Sequence, residues 1–230
     1  ELRYSNIYAH KKLISKDIQY IFLQHGVTYM VPLNTKVRQG VRKGKLMPKN
    51  SKVVVSSILE AEHFVNCAGY DMEDMLITGL PFFDKTYKKE SADHIFIMPT
   101  WRPWEYNILK SDFQNSAYYN MVKQILNNIP KEHLNKVWIL PHPLFKDCFK
   151  NTILNNYVPD LPSYDMVLRE TSLLITDYSS IAYSAFYRGS NVIFCWEELE
   201  ECMDKYVGEL LLNENNVFGD ISYNYEDIND

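Results

Sequence analysis

Long hydrophobic runs are missing from this sequence. No apolar stretch approaches the roughly 20 residues that cross a bilayer, and the opening ELRYSNIYAHKK lacks the charged-then-apolar order of a secretory leader. The chain therefore reads as cytoplasmic. Cysteine is sparse: Cys67, Cys148, Cys195 and Cys202 form neither a CxxC pair nor a zinc spacing, and are expected to be reduced thiols in packed surroundings. Glycine-rich phosphate loops are absent. Neither GxGxxG nor GxxxxGKS/T occurs, which disfavours dinucleotide dehydrogenases and P-loop enzymes. No histidine or carboxylate cluster has ligand spacing, so no metal ion is expected. Positive charge is not in excess either: a formal net charge of −5 argues against a general nucleic-acid binder.

What is present is enough for a sizeable core. The 230 residues are 46% hydrophobic and 14% aromatic, a length that allows one or two domains. Short β-rich runs recur along the whole chain: IQYIFLQ (18–24), KVVVSS (52–57), MLITG (75–79), HIFIMP (94–99), KVWILP (136–141), LLITD (173–177) and NVIFC (191–195). Helical patterns fall between them, at Ile58 to Ala68, Asn115 to Asn128, Tyr164 to Glu170, Ser179 to Arg188 and Glu197 to Tyr206. Ser57 and Glu60 have the spacing of a capping box at the start of the first helix. Such alternation predicts an α/β fold of doubly wound, Rossmann-like parallel sheets covered by helices on both faces.

The stretch GLPFFDKTYKKESAD (79–93) joins Gly, Pro and a polar charged run between two strand candidates, and the domain boundary is placed near residue 90. Residues 91–230 read as a complete C-terminal lobe. Residues 1–90 hold three strand candidates and open on Glu1 rather than Met. Three parallel strands leave an open edge and a poorly covered face, so this part is expected to be the back half of a larger lobe.

Charge is unevenly spread. From Lys36 to Lys52 there are seven basic residues and no acid, whereas Glu197 to Asp230 carries eleven acids against Lys205. Lys36, Arg38, Arg42, Lys43 and Lys45 are candidates for contact with an anionic acceptor or a membrane surface, each cation near an acidic bilayer contributing about 1 kcal/mol. A solvated loop is the alternative.

In doubly wound sheets, ligands sit beyond the carboxyl ends of the strands. The unusual polar residues lie there: His25 in LQHG, Thr100 and Arg102 in MPTWR, His142 in LPHP, and Asp177, Ser179 and Ser180 in TDYSS. A strand running into Asp-Tyr-Ser-Ser and then a helix offers unpaired N–H groups, two hydroxyls and the positive end of a helix dipole, which suits phosphate. Helix capping explains the same residues. The prolines flanking His142 point to a rigidly presented imidazole, able to donate to a phosphate oxygen. Gly26 is expected to permit the turn that exposes His25. Arg102 is either a clamp for phosphate or carboxylate or a packing partner of Trp101 or Trp104. His10, His63, His94 and His133 are read as non-catalytic.

Together these segments resemble a known family. FLQHG, SSILEAEHF, GYDMEDMLITGLPFFD, IMPTWR, LPHP and LLITDYSS, followed by VIF, stand in the order and rough spacing of the CDP-glycerol glycerophosphotransferases, the teichoic-acid primases and polymerases. The resemblance implies a GT-B-like fold, with a CDP-activated donor between two lobes, and transfer of a polyol phosphate to a hydroxyl of a lipid-linked or polymeric anionic acceptor, releasing CMP. It implies no cofactor and no metal, and a place at the inner face of the cell membrane. It also implies His25 as general base, with His142, Thr100, Arg102, Asp177, Ser179 and Ser180 around the donor diphosphate. This chain reads QHGVTYM where members usually read WHGTPLK, has Phe82 where an arginine is common, and has Ser184 where an aspartate usually sits. A GT-B transferase using another nucleotide-sugar donor in capsule synthesis and a non-catalytic nucleotide-binding module are the competing readings.

Overall fold

The computed structural model describes residues 19–34, 40–45, 47–142, 145–160, 163–206 and 208–229. These fall into two compact units. One takes in the described residues up to Asp84 together with Cys202–Leu212, and the other takes in Lys85–Glu201 together with Asn213–Asp230. The division thus comes between Asp84 and Lys85, somewhat before residue 90. Cys202–Leu212 also belongs with the first unit, not with the C-terminal lobe to which the sequence reading assigned it. A scan for linkers treats each unit as one continuous stretch, so it misses a segment that returns.

The first unit holds a three-stranded parallel sheet in the order β1 (Tyr20–Phe22), β2 (Ser51–Val55) and β3 (Met75–Ile77). Helix α1 (Ile58–Ala68) follows β2 and buries Ala61, Phe64 and Ala68, a helical spacing, in a cluster with Val53, Val55 and Met75. Gly69, at φ 75, closes the helix in the left-handed conformation that glycine adopts without a Cβ penalty. Ile21, Leu23 and Ile77 stay about half exposed (48%, 54% and 47%), in keeping with the incomplete cover expected of so few strands.

The second unit is a five-stranded sheet of β4 (His94–Ile97), β5 (Val137–Ile139), β6 (Thr171–Thr176), β7 (Asn191–Cys195) and β8 (Asp220–Ser222), in the order β5-β4-β6-β7-β8 and parallel throughout. The helices of this part of the chain are α2 (Tyr106–Ser111), α3 (Ala117–Asn128), α4 (Lys146–Phe149), α5 (Tyr164–Glu170), α6 (Ile181–Tyr187) and α7 (Leu199–Tyr206), the last crossing the division between units. Ile97, Ile139 and Ile175, from β4, β5 and β6, pack with Tyr118, Val122 and Ile125 of α3 and with Phe149. The chain leaves β4 towards β5 on one side and returns to β6 on the other. Between β4 and β6 the winding reverses, which is where doubly wound sheets bind ligands.

The seven strands and five helices expected from the sequence are all present, with ends trimmed by a residue or two in most cases. β8 was not anticipated. It is a three-residue edge strand in an acidic stretch, admitted because Gly219 lets the backbone lie against β7; a Cβ there would sit 2.3 Å from the Val192 carbonyl oxygen. Among the described residues no helix is long and apolar enough to cross a membrane.

Candidate functional site

In the first unit the turn after β1 presents His25 as an exposed side chain. The backbone feature that makes the turn falls on Gln24, with φ 58, and not on Gly26 as anticipated. A left-handed glutamine is unfavourable. Its side chain offsets this by donating to the Val54 carbonyl at 2.7 Å. Ser57 caps α1 as expected, accepting from the Glu60 amide at 3.3 Å. The reciprocal half of the capping box is replaced: the Glu60 carboxylate accepts from Ser56 and from Thr28. Thr28 competes for that carboxylate from a loop remote in sequence.

The basic tract is only partly a surface feature. Lys36 and Arg38 lie outside the described residues. Arg42 is half-buried and Lys45 exposed. Lys43 is engaged within the unit, its ammonium pairing with Asp74 and, at 3.3 Å, with Asp71. The hydrogen bond it donates to Asp74 raises the Lys43 pKa against the opposing effect of burial. An anion-binding role for Lys43 would have to displace two carboxylates already in place.

In the second unit the predicted residues converge at the switch between β4 and β6. Beyond the strands the two chains stay zipped, Met98 N donating to Ile175 O at 3.1 Å and Thr176 Oγ1 to Met98 O at 2.6 Å. Asp177 then closes the gap. Its Oδ1 accepts from Thr100 N at 2.7 Å, Thr100 Oγ1 at 2.5 Å and Tyr178 N at 2.6 Å. With 1% of its surface exposed, the carboxylate works as a latch between strand ends. Burial pushes its pKa up, while Arg102 and the Thr100 bonds oppose that rise.

Arg102 is also sealed in, at 2% exposure. The carboxylate it clamps is the protein's own Glu198, and its guanidinium also meets Met121 Sδ at 3.3 Å. Trp101 stacks on His142, ring centroids 5.6 Å apart and planes 22° from parallel. This holds the half-buried imidazole against an aromatic wall, and burial keeps its pKa below the ordinary histidine range. His142 O accepts from Phe145 N at 2.8 Å, tightening the LPHP loop.

Ser179 and Ser180 are half-buried. Ser180 occupies the cap position of α6 with helical backbone angles and makes no side-chain cap bond. Ser179 Oγ accepts from Ile181 N at a long 3.4 Å. Helix capping is thus a minor use of this motif: Asp177 turns away to Thr100, and the Ser180 hydroxyl makes no bond to the helix it precedes. The half-buried groups of this site are Thr100, His142 and the two serines, with Arg102 and Asp177 behind them.

Two contributors were missed in the sequence. Tyr118 on α3 is fully buried, and its pKa is driven upward by burial and by the charge of Asp177, with the His142 backbone and Arg102 opposing. Glu198, in the loop after β7, supplies the partner of Arg102. Tyr118 looks like any core aromatic on an amphipathic helix, and Glu198 is one acid in an acidic run. Neither carries a sequence signal. Of the remaining histidines, His63 is buried on α1, where the Tyr29 ring lies 5.7 Å away, and His94 stacks on Trp138 at 3.6 Å.

The sequence model of the CDP-glycerol:poly(glycerophosphate) glycerophosphotransferases matches residues 5–230. A curated relative is the minor teichoic acid biosynthesis protein GgaB of Bacillus subtilis (strain 168), 26% identical over 197 residues, which cover 77% of this chain and 21% of that protein. Among solved structures, one of the wall teichoic acid polymerase TagF superposes with a TM-score of 0.68 at 17% identity, over 95% of this chain and 60% of the other. A second TagF structure gives 0.64 at 16% identity, over 94% and 58%. This likeness establishes the GT-B-like α/β fold. The chain spans about a fifth of GgaB and three fifths of the TagF chain.

Proposed function

Because the chain belongs to the CDP-glycerol:poly(glycerophosphate) glycerophosphotransferase family, we propose that it moves glycerol phosphate, or a related polyol phosphate, from a CDP-activated donor to a hydroxyl of a teichoic-acid polymer, releasing CMP. The observation that carries this reading is the Asp177 latch, which ties the ends of β4 and β6 together at the winding reversal and leaves His142, Ser179 and Ser180 on the half-buried side. That set suits a diphosphate: neutral donors, a rigid imidazole, and a buried guanidinium behind them. Preorganised donors of this kind stabilise charge as it develops on the departing CMP.

His25 would serve as general base on the acceptor hydroxyl, which attacks the phosphorus next to the glycerol. The P–O bond to the CMP phosphate breaks as the new phosphodiester forms. The reading calls on no metal ion. The basic tract would hold an anionic acceptor or the lipid face that carries it, and on this reading the enzyme would work at the cytoplasmic side of the membrane.

The test is nucleotide release with a polyol-phosphate acceptor: CMP from CDP-glycerol and CDP-ribitol, against UDP from a panel of UDP-sugars and CMP from CMP-sugars. CMP release from the CDP-polyols, lost in His25→Ala, is expected. Turnover of a nucleotide sugar in their place would overturn the assignment.

A further inference from the structure

Glu60 lies in the first turn of α1 and is wholly buried. Its carboxylate faces two loops at once. Oε1 accepts from Thr28 N at 2.7 Å, from Thr28 Oγ1 at 3.0 Å and, more distantly, from Gln24 Nε2 at 3.4 Å. Oε2 accepts from Ser56 N at 2.7 Å and Ser56 Oγ at 2.8 Å. Gln24 and Thr28 bracket His25. The residue immediately before the histidine is the one with left-handed backbone, and its side chain is tethered both to Val54 O and to this carboxylate.

From this arrangement we infer that Glu60 is a positioning residue for His25, locking the Gln24–Thr28 turn so that the imidazole is offered in one orientation. The inference rests on the reading of His25 as the base. Helix capping does not account for Glu60, because Ser57 already caps α1 and the carboxylate is engaged by Ser56 and by Thr28, a residue remote from the helix in sequence. Nor will any polar residue of that size suffice. A backbone N–H meets each of the two oxygens, and an amide has only one acceptor, so a glutamine must turn its NH2 towards one of those N–H groups whichever way it flips. The turn is then released on the Thr28 side or the Ser56 side. Backbone strain of the Gln24 type persists only where surrounding bonds over-determine it, and it collects at functional sites.

The experiment compares Glu60→Gln with Ser57→Ala in the full chain, reading CMP release and the imidazole resonances of His25 by NMR. Ser57→Ala removes the helix cap and leaves the carboxylate alone, so it controls for lost stability. In Glu60→Gln we expect kcat to fall by about 10²-fold with KM within about threefold, as for a displaced catalytic group, and the His25 resonances to shift. In Ser57→Ala both stay as in the parent chain. Unshifted His25 resonances with kcat within twofold in Glu60→Gln overturn the inference. If that variant does not fold, Thr28→Val, which keeps the amide and loses the hydroxyl bond, replaces it under the same criterion of a displaced His25 resonance. A parent chain that releases no CMP would defeat the transferase reading, while the NMR comparison still decides the role of Glu60.

Discussion

At the scale of single residues, the two buried carboxylates behave oppositely towards amide replacement, and geometry says why. Asp177 gathers its three bonds on Oδ1, while Oδ2 has no hydrogen-bond partner among the described residues. Asparagine keeps an acceptor at Oδ1 and removes a charge that burial disfavours. Because the folded pKa is raised, the aspartate's contribution to stability declines as pH rises through that value. Asp177→Asn should therefore match the parent at pH 7 within about 1 kcal/mol. Asp177→Ala should lose stability, about 1–3 kcal/mol for each amide left without an acceptor at Thr100 and Tyr178. Urea unfolding of both variants checks this, and equal stability of Asp177→Ala would dismiss the latch.

His142 titrates in the other sense. Its pKa is lowered by burial, so the unfolded chain binds the proton more readily in the window below about pH 6.5. The group's contribution is intact above that window and shrinks as pH falls through it. An NMR titration should place the His142 midpoint below about 6.5. Burial thus favours the neutral imidazole, which can donate through a single N–H. His142→Ala should cut CMP release by about 10²–10³-fold with the fold retained.

At the scale of elements, α3 shows how a helix start can be built from two places in the chain. Ser116 accepts from Tyr119 N at 3.0 Å, and the Glu105 carboxylate reaches across to accept from Ala117 N at 2.7 Å and Tyr118 N at 2.9 Å. The first three amides of the helix are thereby satisfied, and the negative charge complements the positive end of the dipole. Glu105→Ala should lower stability by about 1–3 kcal/mol through the two orphaned amides, measured by thermal or urea unfolding. It should also disturb Tyr118, the residue carried into the Asp177 surroundings. A local pattern finds Ser116 as a cap. Glu105, eleven residues earlier, is found only once the chain has folded.

At the scale of the whole molecule, the net charge of −5 opposes approach to an anionic surface, so any such association must come from the tract around Arg42 and Lys45. Sedimentation with phosphatidylglycerol vesicles should show binding in dilute salt that disappears once the Debye length falls to about 3 Å at 1 M. Replacing Arg42 and Lys45 by alanine should abolish that binding, whereas Lys43, held by Asp71 and Asp74, should contribute little to it. Binding that ignores salt would remove the tract from the mechanism.

Periodicity alone determined that this is an α/β chain of parallel strands with its polar residues at strand tips, because the alternation of buried runs and amphipathic helices is a local property written every ten to twenty residues. TDYSS, LPHP and LQHG were legible for the same reason. The folded chain decided which of those groups are sealed and which are open. Arg102 found Glu198, Asp177 found Thr100, and Glu60 left its expected cap for Thr28. Each choice was made by a partner distant in sequence, where burial forces every carboxylate and guanidinium to find a counterpart. Cys202–Leu212 joining the first unit is a pairing of the same long-range kind.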